Sequence, residues 1–233
     1  MKKYFALLSM NIGHGFRRIM IGTLIASLLD LILFMLLGTG CESFGDAVAG
    51  SRLVPVFIVF SIVITSYATL GPMGNSYSYR LLPVPENRAF LVNATSGTLA
   101  YLFSVIVQAL MLCLLLYIFT LSHGDPGSVA LFTDFHTVPI LTALFPLSSI
   151  LRWILVLFRS FAMGVSFASI AFDRLKIMSV CTIILITFSV TIDAYGRNFP
   201  LAATMIAAAL VFVLLTAGIS TLDNGKVPKE QGV

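Results

Sequence analysis

The sequence predicts an all-α integral membrane protein: a six-transmembrane-helix bundle with an N-terminal interfacial helix and a short cytoplasmic helix between the second and third spans. Three observations carry that prediction. Hydrophobic residues make up 58% of the 233 residues and charged residues only 10%, where a soluble domain carries roughly 25% charged residues. Six stretches are long and apolar enough to cross a hydrocarbon core of ~30 Å as helices of about 20 residues. The lysines and arginines cluster on one side of those stretches. Such a composition excludes a soluble enzyme and a disordered chain, because the groups needed to solvate a globular or an open surface are missing.

The first element is residues 3–18. Phe5, Leu8, Ile12, Phe16 and Ile19 recur at three- to four-residue spacing opposite Lys3, Asn11, His14 and Arg18, the pattern of an amphipathic helix lying in the membrane interface. Asn11, His14, Arg17 and Arg18 interrupt the apolar run too early for a signal peptide. The spans follow at about 19–37, 53–70, 97–121, 150–172, 177–192 and 199–222, with a polar loop between the first two. Inside lipid each backbone amide needs a partner in its own segment, which makes these helices rather than isolated strands. The alternating ten-residue stretches of an outer-membrane barrel are absent from the sequence. Residues 136–149 are apolar but too short to span, and Pro139 and Pro146 break them. They read as a re-entrant or interfacial helix. The membrane domain is thus 1–222, and 223–233 is a flexible cytoplasmic tail.

Charge sets the orientation. With both termini cytoplasmic, the inner segments hold Lys2, Lys3, Arg17, Arg18, Arg80, Arg88, Arg174, Lys176, Lys226 and Lys229, and the outer loops only Arg52 and Arg197. This is the positive-inside asymmetry. It accounts for the net charge of +4 and leaves no case for nucleic-acid binding. The expected location is a bacterial cytoplasmic membrane, crossed several times.

Catalytic and metal-binding constellations are missing from the sequence. The three histidines and ten acidic residues form no H-E-x-x-H, no paired-aspartate run and no Ser/His/Asp set at one depth, and no G-x-x-x-x-G-K-[ST] is present for nucleotide. The chain is therefore expected to be no enzyme, to bind no metal or cofactor, and to depend on a partner if it uses ATP. Cys41, Cys113 and Cys181 show no metal spacing, and the last two read as buried small hydrophobes.

Two stretches draw attention. Within the spans lie Asp30, Arg152 and Arg159, and intramembrane charges are costly and usually paired or functional. Asp30 with Arg159 fits an interhelical ion pair. Both could instead line a polar cavity, and Arg159 could snorkel. Gln108, Ser160, Gly164 and Ala168 fit helix contacts. The second stretch is the loop Arg80-Leu-Leu82-Pro83-Val84-Pro85-Glu86-Asn87-Arg88-Ala-Phe90. Pro85 suits a first helical turn and Glu86 the positive end of the helix dipole. A short helix held parallel to the membrane there is suited to transmitting movement from a soluble partner to two spans. An ordinary interfacial loop is the other reading.

Six spans in about 230 residues, a basic amphipathic N-terminal helix and Leu82-Pro83-Val84 followed by Arg88 and Phe90 resemble the ABC-2 type permeases, the membrane subunits of ATP-binding-cassette exporters. Pro85-Glu86-Asn87 stand where that family carries a serine and a basic residue, and no lysine follows Phe90 near the start of the third span. The resemblance implies that 1–222 is a single transmembrane permease domain. It also implies that the stretch from Arg80 to Phe90 is the coupling helix seated in an ATPase subunit, where ATP and magnesium are bound. It further implies a second copy or related permease as partner, and a peptide, drug or lipid-like cargo. The competing expectation is a polytopic membrane protein without transport: an assembly factor, an immunity protein or a sensor anchor.

Overall fold

The computed structural model describes residues 2–38, 40–41, 43–70, 86–122, 150–172 and 175–194. They form six helices: α1 (Lys2–Leu37), α2 (Phe44–Gly50), α3 (Leu53–Leu70), α4 (Glu86–Ser122), α5 (Ile150–Ala171) and α6 (Lys176–Ala194). Four helices are long and apolar enough to cross a membrane, over Phe16–Leu37, Leu53–Leu70, Arg88–Ser122 and Arg152–Ala171. The chain has the character of a multi-pass membrane protein. The fifth expected span lies on α6, whose apolar stretch Lys176–Ile192 is shorter than the other four. The sixth, 199–222, falls outside the described residues, as do 136–149 and the tail 223–233.

Contacts along the helices fix their directions. Gly22 meets Ile64 and Gly38 meets Ser51, so α1 and α3 run antiparallel. The Ser104 hydroxyl donates to Ser61 Oγ at 3.2 Å and the Asn93 amide donates to the Thr69 carbonyl at 3.0 Å, so α3 and α4 do likewise. Phe90 meets Phe172, while Gly164 meets Ala94 and Thr98, which reverses α5 against α4. Arg159 reaches Ser189 across the short α5–α6 connection. The result is an up–down bundle in which one end gathers the starts of α1 and α4 and the ends of α3 and α5.

Between helices in lipid there is little hydrophobic drive, so close approach and hydrogen bonding must hold them together. α5 is central, with 61% of its span buried against 28% of that of α1. Its buried face carries Ser160, Ala162, Gly164, Ser166, Ala168 and Ser169. The serines and threonines of the spans mostly bond back to carbonyls three or four residues earlier, as Thr65 does to Ser61 (2.7 Å) and Ser166 to Ala162 (2.8 Å). Their polarity is thus satisfied within each helix, and their small size admits the neighbour.

Two features differ from the sequence expectation. The interfacial helix and first span form one uninterrupted helix, α1, of 36 residues; of the residues forming its expected amphipathic face, most side chains before Phe16 lie outside the described ones. The expected polar loop between the first two spans contains α2. Its N-cap is Ser43, which accepts from the Asp46 N–H at 3.1 Å and donates to the Asp46 carboxylate at 2.6 Å. This satisfies a free end of a helix of only 7 residues. Phe44 then packs with Phe34 and Phe119, ring centroids 5.9 and 5.7 Å away, and closes the far end of the bundle. Arg52 turns the chain into α3 with φ 55°, the left-handed conformation that glycine adopts at least cost.

Candidate functional site

The end of the bundle where α3 stops and α4 starts carries the residues the sequence singles out for a partner. Arg80, Leu82, Pro83, Val84 and Pro85 lie outside the described residues. Glu86, Asn87, Arg88 and Phe90 are the first turns of α4, which continues unbroken for 37 residues to Ser122. Here the structure corrects the expectation. From Glu86 onward there is no separate short helix; these residues continue directly into the helix of the third span. A helix of that length measures about 55 Å, some 25 Å more than the hydrocarbon core. The break expected before Gly97 does not occur because the polar residues there find partners compatible with a helix. Thr95 bonds back to the Leu91 carbonyl at 2.8 Å, and Asn93 bonds across to Thr69.

The exposed and buried faces of this first stretch separate its roles. Arg88 is exposed. Phe90 is 1% exposed, stands edge-on to Phe172 with centroids 5.8 Å apart, and belongs to a small cluster with Ala94, Val165 and Ala168. Phe90 therefore anchors α4 to α5, and Arg88 is the group a partner can reach. One turn on, Asn93 is fully buried and takes up one of the last carbonyls of α3, groups with no partner inside their own helix.

The tightest contact in this region joins three helices. A Cβ placed on Gly97 would stand 2.5 Å from the Thr69 methyl and 3.0 Å from the Gly164 Cα. One placed on Gly164 would run into the Ala94 carbonyl oxygen and the backbone nitrogen and hydroxyl of Thr98. Both positions require glycine because backbone meets backbone there.

The intramembrane charges are not brought together as an ion pair. Asp30 is 1% exposed and neither carboxyl oxygen has a hydrogen-bond partner; Gln108 of α4 is its polar neighbour. Arg159, 4% exposed, donates to Ser189 Oγ at 2.8 Å and stands close enough to Tyr101 to act on its hydroxyl electrostatically. Arg152, two turns away on α5, is exposed. The expected Asp30–Arg159 pair is thus not formed: Asp30 sits beside Gln108 without a hydrogen bond, and Arg159 bonds across to α6. The void beside Tyr101, lined by Phe57, Ser61, Met163, Thr187 and Val190, measures about 10 Å³. That is room for one water at most, and no passage for a cargo.

Cys113 is half-buried, whereas Cys181, expected to be buried, is exposed. Among the described residues no three His, Cys, Asp or Glu side chains converge as metal ligands. The sequence reading missed α2 and the two-glycine contact with Thr69. The signals for them were Ser43 three residues before Asp46, and the small residues recurring on both sides of Gly97 and Gly164. Family models, curated proteins and solved structures were compared with the chain, and none matches it.

Proposed function

We propose that the chain is the membrane-spanning permease subunit of an ATP-binding-cassette exporter of the ABC-2 type, driven by a separate ATPase subunit and moving a peptide, drug or lipid-like cargo. The observation that carries the reading is the exposed Arg88 on the first turn of a continuous 37-residue helix, next to the Leu82-Pro83-Val84 run that resembles the family's coupling segment. A push on that turn travels along α4. It passes to α5 through Phe90 and the two glycines, and to α3 through Asn93. Access would then switch by helices sliding or tilting against one another. In this reading the chain itself performs no hydrolysis, and ATP and magnesium stay on the partner. Six spans in one chain make too few walls for a wide pathway, which favours one shared with a second copy or a related permease. The membrane is a bacterial cytoplasmic membrane with both termini inside.

Arg88→Glu is the test. The variant reconstituted with its ATPase subunit is expected to assemble in the bilayer but to lose cargo-stimulated ATP hydrolysis. Unchanged stimulation removes Arg88 from the coupling path. Failure of any ATP-binding-cassette subunit to co-purify with the native chain favours the non-transport reading.

A further inference from the structure

We infer that the groove between α1 and α3 binds an anionic phospholipid, its acyl chain lying along the groove and its phosphate on Arg18. The inference rests on the membrane-spanning character of α1 and α3, and not on an ATPase partner. On α1 the groove is lined by Arg18, Ile21, Gly22 and Ile25, and on α3 by Val63, Ile64 and Tyr67; its volume is about 610 Å³. That lies within the ~300–1,000 Å³ of small-molecule sites. Ile21, Ile25, Val63 and Tyr67 are exposed along its walls, so a lipid tail reaches it sideways from the bilayer without passing through protein.

Gly22 is the informative position. A Cβ added there would stand 3.4 Å from Ile64 Cγ1, an ordinary contact. Unlike Gly97 and Gly164, this glycine is not demanded by helix packing. What its missing side chain leaves is the floor of the groove. The charge is equally one-sided. Arg18 stands exposed at one end with no acidic partner among the described residues, and Arg17 is its exposed neighbour. From Arg18 to Ile25 the groove is apolar for about 10 Å along the helix. A cationic head position above an apolar trough matches an amphiphile with a negative head. The arginine fork suits two phosphate oxygens at once. Basic pockets between transmembrane helices hold lipid headgroups by the same physics.

The experiment counts bound lipid on the purified full chain by native mass spectrometry, after titration with phosphatidylglycerol or phosphatidylcholine in mixed micelles. The native chain is expected to retain one phosphatidylglycerol in preference to phosphatidylcholine. Arg18→Gln should weaken phosphatidylglycerol about fivefold and abolish the preference, given the energy that one basic side chain contributes near an anionic headgroup. Gly22→Leu should exclude both lipids. Ile25→Trp, which fills the groove from an exposed wall and does not touch the bundle interior, should do the same and serves if Gly22→Leu does not fold. Equal retention of the two lipids by the native chain overturns the inference. So does phosphatidylglycerol retention that survives both Arg18→Gln and Ile25→Trp, which would mark the lipid as merely annular.

Discussion

Asp30 is the side chain with the least favourable surroundings among those described. A carboxylate at the centre of a transmembrane helix costs roughly 2.5–3.5 kcal/mol on insertion scales, and here no hydrogen bond offsets it. Asp30→Asn removes the ionisable group, keeps the volume and offers N–H groups to Gln108. The variant is expected to fold and to gain about 1–2 kcal/mol in stability, read as a higher unfolding midpoint in detergent. A large loss of folded protein would show that Asp30 has an ionic partner in the membrane. Asp30 and Arg159 were legible in the sequence as lone charges in apolar runs, but their partners were not. Distance along a helix gives depth in the bilayer, and depth alone pairs the one acid with the one deep base. The direction each side chain points around its helix is settled by packing, which leaves Asp30 beside Gln108 without a hydrogen bond and brings Arg159 to Ser189.

Helix α4 runs unbroken from Glu86 to Ser122 and meets α5 at Gly97 and Gly164, a contact that admits no side chain. Gly164→Ala must push the backbone of α4 away at Ala94 and Thr98. It is expected to destabilise the bundle by about 1–3 kcal/mol, the usual cost of overpacking where the neighbour is backbone, while Gly22→Ala should cost less than ~1 kcal/mol because the groove is open. Comparing the two variants by thermal unfolding in the same detergent checks this contrast. The extent of α4 was hidden in the sequence by Asn93 and Thr95. These polar residues look like an interface boundary, yet they are absorbed by back-bonding and by the end of α3. The short α2 was hidden for a different reason. Seven residues show no periodicity, so only the Ser43–Asp46 cap announces it.

Among the described residues the long helices alternate direction from α1 to α3 to α4 to α5. Arg52, before α3, and Arg88, at the start of α4, are therefore separated by one crossing. In a chain whose native cysteines are replaced by alanine, Arg52→Cys and Arg88→Cys are expected to react with a membrane-impermeant thiol reagent from opposite sides of sealed vesicles. Labelling of both from one side would contradict the bundle described above. The helical class and four of the spans were readable from composition and apolar run length, because in lipid the backbone leaves few alternatives. Which helices are central was not readable, since an apolar residue may face lipid or protein with equal ease. The crossing at Gly97 also has a mechanical meaning. In the proposed permease it would serve as a fulcrum, dividing α4 into arms of about 16 Å toward Glu86 and about 37 Å toward Ser122. A 1 Å sideways nudge at the short arm reappears as about 2 Å, reversed in sense, at the opposite membrane face.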